Sequence, residues 1–282
     1  MKSPSSLEKN MLELKGFVEV PGDTPVLLTA PHAMGPKADR FTGEIAHRIA
    51  VETSAHALIA TISREELDYN RARSRNTPFR KRIYAIITDL LKTHSEILLL
   101  DIHGMEKSIK SLDGEITVIY GTAGGATIDI DYIDIFREEL KEKGIIAEYA
   151  FMEAPQYIGG DIIAHHGKPS KGVHAVQIEI ASKNRELGEQ NLLEAFANFI
   201  RRWLLNQYKY ELKQTQMRKL LKYVGAKRIG HDASEALGDI LETILVRISA
   251  HAVTIARKSN RTIVEGKDIR KATLGLFKKK YY

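Results

Sequence analysis

The chain has 282 residues, 43% hydrophobic and 28% charged, with a formal net charge of +6, which accommodates two folded domains and argues against disorder. It has no cysteine, so disulfides are excluded, metal ligands must come from histidines and carboxylates, and a reducing cytoplasm is the expected setting. No apolar run reaches the roughly 18 residues of a membrane span and the N-terminal stretch has no signal-peptide core, so no membrane partner is expected.

Strand and helix signals alternate through residues 1–210. Strands are expected at 26–30, 57–62, 97–102, 116–120, 145–151 and 173–180, and helices at 41–54, 79–94, 132–143 and 185–208, with a Gly-rich loop at 157–167. Continuous apolar runs such as EILLLDI read as strands buried on both faces and covered by helices, hence a layered α/β domain with a mostly parallel or mixed sheet. Residues 209–216 contain no Pro/Gly/Ser run and read as a short or helical linker.

Ligand sites in such sheets gather where the chain leaves strand C-termini, and this chain loads two of those places with histidine: His32 in TAPHAMG and His103 in LLLDIHG. Two imidazoles with a carboxylate suit Zn2+, which in catalytic sites keeps one position open for water. Asp39, in the loop after His32, is the candidate third ligand, with Glu44 the competing choice. In HAVQIEI, alternation turns Gln177 and Glu179 to one face and Val176 and Ile178 to the other. A carboxylate on so apolar a strand is either a catalytic base or half of a buried ion pair. The glycines at Gly159 and Gly160 allow close approach of a ligand, which makes His165 or His166 a candidate donor to substrate. Arg73, Arg75 and Arg80 read as solvated cations at a loop and helix start.

The segments APHAMG, LDYNR, LLLDIHG, IGGDIIAHHG and GVHAVQIEI, in that order over residues 31–180, resemble the N-formylglutamate amidohydrolases. That family is similar in turn to the zinc carboxypeptidases and aspartoacylase-like hydrolases. The resemblance implies a three-layer α/β/α sandwich with a mixed sheet, one zinc held by two histidines and a carboxylate, and hydrolysis of an amide beside a carboxylate-bearing group. It implies further that Glu179 is the general base and that Asn70 and Arg71 hold the carboxylate of a small substrate, a task suited to the planar guanidinium fork.

From residue 217 onward the pattern changes to a short helix (217–226), a long apolar-periodic stretch (233–259) and a last helix from 267. Leu237, Leu241, Ile244, Ile248, Ala252 and Ile255 recur at three and four residues and share one helix face. A segment this short cannot bury that stripe alone, so a second copy is the expected cover. Short, long, short is the histone pattern, and GAKRI, DASEAL, NRTIVEGKDI and FKK resemble runs of the archaeal histones, placing an all-α histone fold at 215–282. The resemblance implies a homodimer, an Arg261–Asp268 pair, and DNA-binding roles for Lys219, Lys222, Arg228 and Arg261. The sequence departs from the family at Thr262 and Ile263, where a Lys and a DNA-contacting Thr are usual, and at Lys258, where many members have a His that joins dimers.

Residues 215–282 carry 15 Lys and Arg against 6 Asp and Glu, net +9, leaving the preceding residues at net −3 within the chain total of +6. A basic helical module of that density favours polyanions through counterion release; the competing reading is a solvated dimerisation module. Two functions follow from the fusion: an amidohydrolase tethered to DNA through a histone fold, or a histone-like DNA binder whose hydrolase-like domain is non-catalytic or a ligand sensor.

Overall fold

A computed structural model of the chain describes residues 12–14, 16–111, 114–150, 155–186, 190–207 and 214–278. Residues 209–213 of the expected linker, 151 of the expected strand 145–151, 187–189 and 208 of the expected helix 185–208, and 279–282 of the expected histone fold lie outside the described residues. The chain packs as two units, Met1–Ile200 and Arg201–Tyr282. Among the described residues no helix is long and apolar enough to cross a membrane.

From the N-terminus the elements are β1 (Leu12–Leu14), β2 (Phe17–Val20), β3 (Val26–Ala30), α1 (Thr42–Thr53), β4 (His56–Ala60), α2 (Pro78–Leu90), β5 (Ile97–Met105), β6 (Ile109–Ser111), β7 (Gly114–Gly121), α3 (Ile130–Glu142), β8 (Ile146–Tyr149), α4 (Asp161–His166), β9 (Val173–Ala181) and α5 (Ser182–Arg185) in the first unit, and α6 (Gln190–Gln207), whose residues 201–207 fall in the second. The strands form one sheet in the order β1-β2-β4-β3-β5-β9-β7-β6, with β8 also on β7. β4, β3, β5 and β9 run parallel, whereas β2 and β7 flank them antiparallel, so the sheet is mixed.

Burial on both faces explains the unbroken apolar runs. Leu27, Leu58 and Leu99 turn to one face and pack with Phe79, Ile83 and Ile86 of α2 and Ile162 and Ile163 of α4. Alternate residues turn to the other face: Ile59 meets α1 at Gly43, and Tyr120 lies 5.5 Å from Phe136 of α3, which itself stacks on Phe199 of α6. α2 starts where Thr77 accepts the Arg80 N–H as N-cap, with Pro78 at the first helical position, where its missing N–H costs nothing.

Three differences from the sequence reading have physical causes. The Gly-rich stretch 157–167 closes into the short helix α4, because Gly160 sits extended as its N-cap and the apolar pair Ile162 and Ile163 finds the core. β5 runs three residues past Ile102, continuing to pair with β9 as far as Met105, so His103 lies within the strand. Arg80 is buried rather than solvated, its guanidinium bonded to the Tyr69 carbonyl and to Asp161.

The second unit contains α7 (Gln214–Tyr223), α8 (His231–Lys258) and α9 (Gly266–Lys278). Along α8 Ala252 is buried, but Leu237, Leu241, Ile244, Ile248 and Ile255 are only half-buried. Ile240, Leu245 and Leu274 are exposed. One chain therefore covers only part of its own apolar stripe. Arg261 donates to both oxygens of Asp268, at 2.9 and 2.7 Å, and to the Ile263 carbonyl, which braces the loop before α9.

Candidate metal centre and active site

The C-terminal ends of the parallel strands bring together side chains far apart in sequence. His32 leaves β3 into a loop that folds back on itself: the Asp39 N–H donates to the His32 carbonyl, and the Thr42 hydroxyl donates to the Asp39 carbonyl at the start of α1. Asp39 is thereby returned to His32, with Nδ1 of His32 3.4 Å from Asp39 Oδ2. From β5, His103 turns its own Nδ1 to the same oxygen at 3.5 Å. Arg185 secures the far end of this loop by donating to the Arg40 carbonyl as well as to those of Met105 and Ile180.

Ligand atoms of His32, Asp39 and His103 all lie within 4.8 Å of one another, and the three side chains are buried. Glu44, the competing ligand, is exposed on α1 and outside this cluster. The far nitrogens of both imidazoles are held by carboxylates. His32 Nε2 meets Asp68 Oδ1 at 2.8 Å and His103 Nε2 meets Asp101 Oδ2 at 2.9 Å. With an ion bound beside Asp39, donation from Nε2–H would leave each Nδ1 lone pair free to hold it, the arrangement by which carboxylates orient metal-ligating histidines. The Thr29 hydroxyl in turn donates to Asp101. Two neutral imidazoles and one carboxylate are a donor set that suits zinc and leaves coordination positions open. The residues present fit such an ion.

Charge reinforces the geometry. Burial alone would raise the Asp39 carboxyl, but hydrogen bonds with His103 and His32 and the charge of Arg64 outweigh it and hold it far below the usual carboxylate range. Asp68 behaves alike: burial opposes ionisation, yet its bond with His32 brings it to about 2. Arg64, which the sequence reading missed, places its guanidinium against His32 Nδ1 and 3.5 Å from Asp39 Oδ1. It is a long, half-buried cation at the mouth of the cluster, suited to meet an oxyanion.

Glu179 stands opposite His103 in the β5/β9 register. It is buried, Gln177 Nε2 donates to its Oε1 at 2.8 Å, and among the described residues it makes no ion pair with Lys or Arg. Burial, then the nearby Asp39 and Asp101 charges, push its carboxyl upward, against the opposing pull of His103. Asn70 is largely committed to the frame, its Oδ1 accepting the Ile162 N–H and its Nδ2 donating to Gln177. That packing demands glycine at Gly160, where a Cβ would fall 2.0 Å from Asn70 Nδ2. Arg71 extends from the next position with a mostly exposed side chain, anchored at its Nε by Asp68 at 3.1 Å.

His165 and His166 are not brought to this cluster. They end α4 beside Arg75 and Arg80, and their contacts and charge neighbours among the described residues do not include His32, Asp39 or His103. Sequence reasoning missed Asp68, Asp101 and Gln177, although each sits inside one of the motif segments. The signal for Asp101 was the period-2 spacing Asp101–His103, which puts both on one face of a strand. On the second unit, Lys219, Lys222 and Arg228 are exposed, while the Arg261 guanidinium is occupied by Asp268.

Comparison with known proteins bears on both units. The N-formylglutamate amidohydrolase family matches residues 75–184. The family of histone-like transcription factors (CBF/NF-Y) and archaeal histones matches residues 210–273. The archaeal histone HAN1 of Thermococcus zilligii is 32% identical over 62 residues, which is 22% of this chain and 92% of that protein. The crystal structure of N-formylglutamate amidohydrolase from Ralstonia eutropha JMP134 matches with a TM-score of 0.58 at 15% identity, covering 69% of this chain and 99% of that one. A gene product of Agrobacterium tumefaciens matches with a TM-score of 0.50 at 15% identity, over 66% and 92% of the two chains. At such identities the solved structures speak for a shared fold.

Proposed function

We propose that this chain, whose C-terminal segment belongs to the archaeal histones and whose N-terminal domain has the fold of the N-formylglutamate amidohydrolases, is a zinc-dependent amidohydrolase dimerised and tethered to DNA by its histone fold. The observation that carries the catalytic half is the convergence of His32 Nδ1, His103 Nδ1 and the Asp39 carboxylate, each imidazole held from behind by its own carboxylate. When bound there, zinc supplies Lewis acidity that polarises a carbonyl and makes water nucleophilic near neutral pH.

The chain's own groups do the rest. Glu179, buried and with a raised pKa, takes the proton of the attacking water and delivers it to the leaving nitrogen. Arg64 faces the oxygen that gains charge as the carbonyl becomes tetrahedral. Arg71, braced by Asp68, pairs with a substrate carboxylate and so fixes where the amide lies. Asn70 is a positioning residue, tying Gln177 and the start of α4 to the same frame.

For the second unit, the half-covered stripe of α8 supports pairing with a second copy, and the net charge of +9 over residues 215–282, with Lys219, Lys222 and Arg228 exposed, supports contact with DNA phosphates. Screening N-formylglutamate and other N-acyl amino acids with the zinc-loaded full chain tests the catalytic reading. Release of free amine by the wild type and its loss in Glu179→Gln is expected. No hydrolysis of any carboxylate-bearing amide by zinc-loaded protein would favour a ligand-sensing domain instead.

A further inference from the structure

We infer that a second site, built by α2 and the end of α4, binds a phosphate dianion, either free or carried by a small phosphomonoester. A cavity of about 160 Å³ is lined by Arg75, Arg80, Lys81, Tyr84, His165 and His166. Its lining includes none of the residues assigned to the metal centre, so the inference does not depend on the hydrolase reading.

Charge balance points to a dianion. Arg75 grips both oxygens of Asp161 at 3.0 and 2.6 Å, and Arg80 bonds the same carboxylate at 2.9 Å. One carboxylate thus serves two guanidiniums, and Lys81 adds a third cation, leaving a surplus of two positive charges around the cavity. The Arg80 side chain is only 1% exposed. A charge so deeply buried is costly unless it is fully paired.

Hydrogen bonding points the same way. Arg80 Nε and His166 Nε2 are buried and have no hydrogen-bond partner among the described residues. His166 is 9% exposed. A guanidinium N–H can only donate, so what Arg80 lacks is an acceptor, and because its Nε is closed to a water-sized probe, the side chains around it must shift to admit one. Burial, followed by the charges of Arg80 and His165, brings His166 down to about 3, so at neutral pH its ring holds one N–H to offer. Guanidiniums match phosphate oxygens in geometry as well as charge. The volume falls below the roughly 300–1,000 Å³ of clefts that enclose drug-sized ligands, which fits a phosphate group with a few attached atoms.

Calorimetric titration of the full chain with inorganic phosphate, and separately with glycerol 3-phosphate, tests this in the wild type, Lys81→Glu, His166→Phe and His103→Ala. Phosphate is expected to bind at one site in the wild type and equally in His103→Ala, and about tenfold or more weakly in Lys81→Glu and His166→Phe. Melting curves without ligand identify any variant that fails to fold; Lys81 is exposed, so Lys81→Glu decides if His166→Phe is unstable. Tighter binding of glycerol 3-phosphate identifies a monoester as the ligand, and equal binding identifies the free ion. Absence of binding at millimolar phosphate would overturn the inference. So would unchanged affinity in Lys81→Glu, loss of binding in His103→Ala, or acetate binding as tightly as phosphate.

Discussion

Asp101 and His103, two residues apart on β5, face the same side of the sheet, and the Asp101 carboxylate accepts from His103 Nε2–H at 2.9 Å while Nδ1 faces Asp39. The pairing makes Asp101 part of the candidate metal centre from behind its ligand set. Asp101→Asn keeps the size but replaces a charged acceptor by a neutral amide, and outer groups of this kind are worth about 10–100-fold in metal affinity. Competition with a chelator is expected to show a loss in that range. Unchanged affinity would mean that the tautomer is fixed by something other than Asp101.

Glu179 yields a kinetic prediction with a definite sign. Its carboxyl is raised above the ordinary 4.5, chiefly by burial. The base form therefore exists only above that raised value, and kcat/KM is expected to fall as pH drops through it, giving an acid limb higher than a solvated glutamate would give. Glu179→Gln is expected to lower kcat about 10²–10⁴-fold with zinc content intact, and to remove the limb from the residual rate. A limb that survives in Glu179→Gln would assign it to another group.

On the histone unit, Lys219, Lys222 and Arg228 are exposed. Changing all three to Ala is expected to weaken DNA binding at every sequence tested and to make the plot of log affinity against log salt shallower by about 2–3, near 0.9 for each phosphate no longer neutralised. Sedimentation is expected to find the dimer intact. An unchanged slope would leave the fold a pairing module alone.

The brace between α8 and α9 has its own pH signature. Hydrogen bonds from Arg261, and then from the Glu265 N–H, hold the Asp268 carboxyl at about 2 against an ordinary 3.8. A depressed carboxyl contributes stability that is complete above the unfolded value and disappears as pH falls through the folded one. Arg261→Met is expected to melt at lower temperature near pH 6, with the gap to wild type closing between about pH 4 and pH 2. A gap that stays constant over that window would show that packing, and not the ion pair, is what the substitution removes.

The strands that carry the site were legible because buried parallel strands write themselves as unbroken apolar runs, and His32 and His103 stood out as polar residues ending two of them. The short outlying strands Leu12–Leu14, Phe17–Val20 and Ile109–Ser111 were not, since each is three or four residues long and takes its pairing from the sheet it joins. Asp39 was legible only as one of two choices: it lies in the loop beyond His32, and the backbone turn that returns it has no periodic signature. The reading of Arg80 as a solvated cation failed because its partner, Asp161, is 81 residues away. His165 and His166 were read as candidate donors to substrate from their neighbouring glycines, whereas the helix they end carries them to the α2 side.

Zinc stoichiometry, measured by elemental mass spectrometry on wild type and His103→Ala side by side, tests the central proposal most directly. About one zinc per chain in the wild type, lost in His103→Ala while the histone unit still melts as before, is the predicted result. Equal metal in the two proteins, or none in either after zinc is added back, would contradict a metal centre built on His32, Asp39 and His103.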